Sequence, residues 1–217
     1  YQGVIMAWKE FWASTSPTVT ISPAADDFLI GSAVTDSLGA SILGTTPTGW
    51  SQQFRSEVTT DGQTHQVIYK KATGSETSVV FDAPLAITYV ASYSGIDTTT
   101  PLDVTPATFS SSTASTTTDI SITPITNNCD IVFCQGQDDG NSNYAFTFST
   151  IAGTTGAWTT RIDQDAGYYN QAQGSAVQTT AGAITARCVS TSGGRSGCLF
   201  ALRPAAGGDV LMGQVCL

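Results

Sequence analysis

One short segment of the chain concentrates side-chain oxygens, at residues 138–143. Asp139, Asn141 and Asn143 stand at alternate positions, a spacing that directs their oxygens toward a common centre. Carboxylate and amide oxygens are the ligands that calcium prefers. We therefore predict a possible calcium site at Asp138, Asp139, Asn141 and Asn143, although the glutamate that completes an EF-hand loop is missing. A turn rich in Asp and Asn explains the same residues without a metal.

Groups that could support catalysis are few and poorly placed. The single histidine, His65, follows an Asp-Gly turn, and no Gly-x-Ser-x-Gly motif accompanies it. We therefore expect an exposed, structural His65 rather than the base of a nucleophilic triad. Asp163 and Asp165 lie two positions apart beside a glycine, as in a solvated hairpin loop. A glycosidase would need two carboxylates facing each other across a cleft, so the sequence predicts a protein without enzymatic activity.

The chain has five cysteines, and an odd number argues against a complete disulfide framework. Cys188 and Cys198 are equidistant from Gly193, which we interpret as the turn of a hairpin. In that register the two cysteines face each other and are candidates for a disulfide. Two small buried thiols are the alternative interpretation. Cys129 and Cys134 lie five positions apart, so on one strand they point to opposite faces and are not expected to bond.

Exposed aromatic residues could bind a carbohydrate. Trp158, Tyr168 and Tyr169 flank predicted loops in the second half of the chain. Adjacent Tyr168 and Tyr169 must point in opposite directions on a strand, so one of them should be exposed. Most such aromatic side chains in a sandwich belong to the core or its rim, which is the competing interpretation.

The elements that must position these residues are predicted to be strands. Alternating apolar and polar residues recur along the chain, and turn residues separate them at the spacing typical of sandwiches and barrels. We predict an all-β fold with very little helix: a two-sheet antiparallel β-sandwich of jelly-roll-like type. Residues 17–204 form the sandwich, and the Ser/Thr-rich residues 108–118 are interpreted as a long crossover between its sheets.

Both ends of the chain are apolar or aromatic, and both are predicted to contact another molecule. Residues 1–16 are interpreted as an N-terminal arm or a first strand, and residues 205–217 as an apolar C-terminal extension. The candidate interface residues are Trp8, Phe11, Trp12, Val210, Leu211 and Val215.

Charge restricts the classes of partner. The net charge is −9 and only 12% of residues are charged, so the polar surface must consist mainly of hydroxyl and amide side chains. No basic patch is present to neutralise phosphates, so we expect no binding to nucleic acid or to anionic membranes. No apolar run approaches the roughly 18 residues that suggest a membrane-spanning helix.

Two stretches resemble a known group of proteins. The first is Thr46-Pro47-Thr48-Gly49-Trp50, and the second is Tyr93-Ser94-Gly95-Ile96-Asp97-Thr98-Thr99-Thr100-Pro101-Leu102-Asp103. The second is similar to a segment of β-sandwich domains encoded by tailed phages and prophages, and the resemblance covers residues 17–204.

This resemblance implies a structural protein on the virion surface, such as a capsid decoration protein or a head or tail component. Its partners would be other virion proteins or copies of itself, in an oligomeric assembly without a cofactor other than the possible calcium. The alternative function is an extracellular carbohydrate-binding or adhesive module, for which the aromatic residues named above would be the binding site.

Overall fold

A computed structural model describes residues 7–39, 41–59, 62–138, 145–167 and 169–206 of the chain. Thirteen β-strands and no helix are found in these residues. The strands are β1 (Ala7–Ser14), β2 (Thr18–Thr20), β3 (Phe28–Asp36), β4 (Ser51–Val58), β5 (Gln63–Lys71), β6 (Ser78–Val80), β7 (Ile87–Ser94), β8 (Ala107–Ile122), β9 (Cys129–Asp138), β10 (Thr147–Ala152), β11 (Thr159–Asp165), β12 (Tyr169–Gln178) and β13 (Ile184–Leu202).

The strands form two antiparallel sheets that pack against each other, which confirms the predicted all-β sandwich. The first sheet has the order β1-β7-β3-β5-β4. The second has the order β10-β13-β9-β12-β11, and β8 also pairs with β13. Each sheet is therefore built from one continuous part of the chain, the first from residues 7–94 and the second from residues 107–202.

The core between the sheets is apolar and aromatic. Period-two alternation directs every second side chain of β3, β5 and β7 toward the second sheet. This cluster comprises Phe28, Ile30, Phe54, Val67, Tyr89, Ala91, Tyr93 and Ile96 from the first part of the chain, and Val132, Cys134, Ile162, Cys198, Phe200 and Leu202 from the second. The opposite face of the first sheet is covered by the β2–β6 ribbon and its flanking loops, through residues such as Val19, Leu43 and Phe81.

The second sheet folds back on itself through a bent two-stranded ribbon, β8–β13. Register shifts interrupt the pairing of these strands between Val189 and Arg195. Side chains from both ends of β13, among them Ala186 and Ala201, then meet in one buried cluster. The bend gives the sheet a second apolar core, separate from the core between the two sheets.

The crossover predicted at residues 108–118 is wrong, because these residues lie inside β8 and pair with β13. Serine and threonine side chains suit a pleated surface that faces solvent, since the β-branched threonine favours extended backbone. Burial in β8 rises toward its C-terminal end, where Thr118, Ile120 and Ile122 point inward. A hydroxyl-rich segment of this kind satisfies the requirements of a strand as well as those of a loop.

Gly174 on β12 lets β10, which pairs with the first part of β13, pack closely against the rest of the second sheet. A Cβ atom at this position would lie 2.4 Å from ring atoms of Phe148, which belongs to β10. We expect Gly174→Ala to destabilise the protein by about 1–3 kcal/mol, the usual cost of overpacking a core. Chemical denaturation measures this, with Gly156→Ala as the control because its nearest contact is an ordinary 3.4 Å.

The cause can be isolated with a smaller side chain at position 148. Gly174→Ala should cost much less in a Phe148→Ala background, because the atoms that a Cβ at position 174 would meet, Cγ, Cδ1 and Cδ2 of Phe148, are then absent. An equal cost in both backgrounds would show that the ring is not what restricts Gly174.

Candidate functional site

A chain of hydrogen bonds crosses between the two sheets around His65. His65 on β5 contacts Ser196 of β13 through Nδ1 at 2.9 Å and Ser32 of β3 through Nε2 at 3.0 Å. Ser32 Oγ donates to Gln171 Oε1 at 2.7 Å, and Gln171 Nε2 donates to Gln164 Oε1 at 2.7 Å. The chain thus starts in the second sheet, enters the first through His65 and Ser32, and returns through Gln171.

The direction of these bonds fixes the tautomer of His65. The only proton of the Ser32 hydroxyl is used toward Gln171, so Ser32 must accept a hydrogen bond from Nε2–H of the imidazole. Nδ1 is then the acceptor for the Ser196 hydroxyl at 2.9 Å, a shorter contact than the 3.4 Å from that hydroxyl to Gln63 Oε1. Burial disfavours the imidazolium and lowers the pKa of His65 to about 3, so the ring is neutral at physiological pH.

The expectation of an exposed His65 is wrong, because its side chain is completely buried. Strand β5 places it between the sheets, with Phe54 edge-on to its ring at 5.5 Å between centroids. Gly136 makes the room, since a Cβ there would lie 2.8 Å from Nδ1. A substrate cannot reach this imidazole in the folded protein. The hydrogen bonds of His65 to Ser32 and Ser196 instead connect the two sheets.

An open groove of about 520 Å³ lies where the two arms of the bent ribbon end. Both Ala107 and Ile122, the first and last residues of β8, line it. The lining is apolar or hydroxyl-bearing and carries no charged side chain: Val104, Thr105, Ala107, Ser121, Ile122, Thr123, Ala152, Ala183, Ile184 and Thr185. The bend in β8–β13 therefore brings residues distant in sequence into one uncharged surface.

Two exposed isoleucines adjoin this groove along the chain. Ile125 is 67% exposed and stands two residues after Thr123, while Ile151 is 45% exposed and precedes Ala152. Asp103 holds the turn that carries Ile125, because its Oδ2 accepts hydrogen bonds from the amides of Ile125 and Thr126. We call the groove lining together with Ile125 and Ile151, which are close to it in sequence, the apolar end surface. An exposed apolar surface of this kind is typical of contact sites.

The N-terminal aromatic residues are divided between core and surface. Residues 7–14 form strand β1, in agreement with one of the two interpretations of the N-terminal segment. Trp8 packs against the core between the sheets and Trp12 against the outer core of the first sheet. Arg161 of β11 lies over the Trp8 ring at 5.1 Å, and only Phe11 remains exposed, at 42%. Val210, Leu211 and Val215 lie outside the described residues.

The calcium prediction remains untested. Asp138 is the last residue of β9 and is buried, opposite Tyr169 on β12 and Gly194 on β13. Asp139, Asn141 and Asn143 lie outside the described residues. Within the described ranges, no group of three or more His, Cys, Asp or Glu side chains is arranged to hold a metal ion.

The aromatic candidates for carbohydrate binding are only partly presented to solvent. Trp158 stacks on Phe148 with 6.0 Å between ring centroids, and its Nε1 donates to Thr150 Oγ1 at 2.9 Å. One face of the Trp158 ring is therefore covered by Phe148 and is not available to a carbohydrate. Tyr169 is half-buried on β12, and Tyr168 lies outside the described residues.

The predicted Cys188–Cys198 disulfide is wrong, because residues 184–202 form one long strand rather than a hairpin. Strand β8 runs beside both halves of β13 and takes the place of the expected hairpin partner. Cys188 lies opposite Thr118 and Phe148, whereas Cys198 lies opposite Cys134. The alternative of buried thiols agrees with the structure.

The segment that carries the phage resemblance is a tightly bonded loop. Asp97 Oδ1 accepts hydrogen bonds from the amides of Thr99 and Thr100, at 2.8 and 3.0 Å. These bonds and the Thr100 hydroxyl lower the pKa of Asp97. Isolated bridges join Ile96 to Pro204 and Leu102 to Leu202. The segment therefore fastens the end of β13 to the rest of the sandwich.

Comparisons of the chain with protein-family models, with curated proteins and with solved structures gave no match. Among the described residues there is also no helix long and apolar enough to cross a membrane.

Proposed function

We propose that this protein is a non-enzymatic structural component of a phage virion, most simply a capsid decoration or head or tail surface protein. It acts through contacts with other virion proteins or with copies of itself. The similarity of residues 95–103 to phage-encoded sandwich domains supports the virion setting. The apolar end surface supports a role in assembly, and this surface is the observation on which the proposal depends.

Electrostatics explain why this surface suits a contact. A chain with a net charge of −9 repels other copies of itself and other acidic proteins over most of its surface. The groove has no charged side chain to desolvate, so its burial carries none of the cost of removing an ion from water. Ile125 and Ile151, close in sequence to the groove residues, provide further exposed apolar area. A contact at this end would therefore bury apolar area with little electrostatic repulsion between the two acidic surfaces.

The direct test is the composition of intact particles. Particles induced from the host that encodes this chain should contain it in a fixed copy number, as measured by quantitative mass spectrometry of gradient-purified virions. Immunogold labelling should then place it on the outside of the head or tail. Purified particles that lack the chain, from cells that express it, would overturn the proposal.

We expect Ile125→Asp and Ile151→Asp to reduce incorporation into particles, because each replaces exposed apolar area close in sequence to the groove residues with a charge. Leu85→Asp and Val80→Asp are matched controls, since Leu85 is 67% and Val80 58% exposed but both lie in the first half of the chain, distant in sequence from the groove residues. Incorporation is measured as the ratio of this chain to the major virion protein. We expect at least a tenfold loss for the first pair.

The folded state of each variant is checked by its denaturation midpoint, which should stay close to that of the parent for all four exposed positions. Equal loss of incorporation in the test and control pairs would contradict a specific role of the apolar end surface.

A further inference from the structure

Two cysteines stand directly opposite each other in the middle of the second sheet. Cys134 on β9 pairs with Cys198 on β13, and both side chains belong to the core between the sheets. Both are completely buried, and both are thiols in the structure. Residues in direct register on neighbouring strands point to the same face of a sheet, so the two sulfur atoms share one environment.

We infer that Cys134 and Cys198 are the site of a cross-strand disulfide that forms when the chain folds under oxidising conditions. Directly opposed residues in an antiparallel pair have Cα atoms about 4.5 or about 5.5 Å apart. Both separations fall in the range that disulfides span, about 4.4–6.8 Å. The bond would join β9 to β13 without changing the strand register.

The other described cysteines lack this geometry. Cys129 lies opposite Gln178, and its Sγ donates to the carbonyl oxygen of Thr126 at 3.2 Å. Cys188 lies opposite Thr118 and Phe148. Both belong to the second core, inside the bent sheet, and neither has a cysteine as its register partner. The pairing of Cys134 with Cys198 is therefore selective, and Cys129 and Cys188 serve as controls within the same sheet.

The reaction needs a disulfide as oxidant, either a small-molecule disulfide or an oxidoreductase. One cysteine thiolate attacks the oxidant R–S–S–R and releases one R–S⁻, which leaves a mixed disulfide on the protein. The second thiolate displaces the other R–S⁻. One protein S–S bond thus forms, two thiol protons are lost, and the oxidant is reduced to two R–SH.

Burial determines when this reaction occurs. Desolvation raises the pKa of Cys134 to about 11, so the folded protein holds almost no reactive thiolate there. Oxidation must therefore precede complete packing of the core. Once formed, the same packing shields the bond from reductants.

The experiment compares refolding with and without an oxidant. The chain, with Cys216 replaced by alanine, is unfolded with reductant and refolded either with a mixture of reduced and oxidised glutathione or with reductant alone. Free thiols are alkylated in denaturant, and the protein is digested without reduction by trypsin and chymotrypsin. Cleavage after Phe133 separates Cys129 from Cys134, and cleavage after Arg195 separates Cys188 from Cys198.

We expect the oxidised sample to contain one linked peptide pair, joining Cys134 to Cys198, and to have a higher denaturation midpoint than the reduced sample. Cys198→Ala should abolish the pair and the difference in midpoint, while Cys188→Ala should keep both. If Cys198→Ala does not fold, the linkage map of the parent chain still decides. Recovery of Cys134 and Cys198 as alkylated thiols after oxidative refolding, or a linkage through Cys129 or Cys188, would overturn the inference.

Discussion

Asp130→Asn is expected to stabilise the protein at pH 8 by up to about 4 kcal/mol. Asp130 on β9 is almost completely buried, and burial raises the pKa of its carboxyl to about 7 despite the opposing charge of Arg161. The unfolded chain releases this proton near pH 4. Ionisation of this carboxyl above pH 7 therefore leaves the native state less stable relative to the unfolded state, by about 1.4 kcal/mol for each unit of pKa shift.

The sign of the pH dependence follows from proton binding. Between pH 4 and pH 7 the native state holds a proton on Asp130 that the unfolded state has lost, so the contribution of Asp130 to stability falls as the pH rises. Asparagine cannot ionise and removes this loss. The variant and the parent should therefore differ most at pH 8 and little at pH 4, as measured by chemical denaturation at both values.

Asp103→Asn provides a control of opposite sign. Burial works to raise the pKa of Asp103, but hydrogen bonds from Thr126, Ile125 and Arg203 outweigh it and lower the pKa. This carboxylate stabilises the native state above its pKa, so its replacement should cost stability at pH 8. A stabilising effect of both variants would contradict the assignment of Asp130 as an unfavourable buried charge.

His65→Ala is expected to destabilise the protein by about 3 kcal/mol or more at pH 7. The substitution leaves a cavity in a well-packed core and removes two hydrogen bonds, one to Ser196 and one to Ser32. His65→Gln fills more of the space and should cost less. Both effects are measured as changes in the free energy of unfolding by denaturant.

The pH dependence of His65 separates its role from simple packing. The native imidazole stays neutral down to about pH 3, while the unfolded one takes up a proton below pH 6.5. The contribution of His65 to stability therefore decreases as the pH falls, by about 1.4 kcal/mol per unit, and His65→Gln lacks this contribution while it keeps those of the carboxyl groups. The cost of His65→Gln should shrink by about 3 kcal/mol between pH 7 and pH 4. A cost that is constant with pH would contradict a neutral native His65.

The elements of the fold were accessible from the sequence where alternation is strong. Strands such as β3, β7 and β9 carry β-branched and aromatic residues, and the predicted sandwich follows from them. Strand β4 gives only a weak signal in the sequence, because Phe54 and Val58 are the only buried residues in an otherwise polar segment. The length of β8 was missed because the Ser/Thr run of residues 108–118 fits a loop or an exposed strand equally well.

The groove and the His65 network depend on contacts between distant parts of the chain. Nothing near Ala107 or Ile122 marks them as lining one groove, because the bend in β8–β13 brings the two ends of β8 together. His65 follows a turn signal, and only the pairing of β5 between β3 and β4 shows that it is internal. The register of Cys198 with Cys134 likewise depends on β13 being one continuous strand. The adjacent Gly193 and Gly194 instead indicate a turn in the sequence.

The central place of β13 in the second sheet has a consequence for synthesis of the chain. Among the described residues β13 is the last strand in sequence, yet it pairs with β8, β9 and β10. All five strands of the first sheet have left the ribosome once residue 94 has emerged, whereas β8 and β10 have no sheet partner until residues 184–202 follow. Strands β9, β12 and β11 can pair with one another during that interval, but β8 and β10 cannot join the sheet. Truncation before β13 would therefore leave β8 and β10 without a sheet partner and remove Cys198, Phe200 and Leu202 from the core between the sheets.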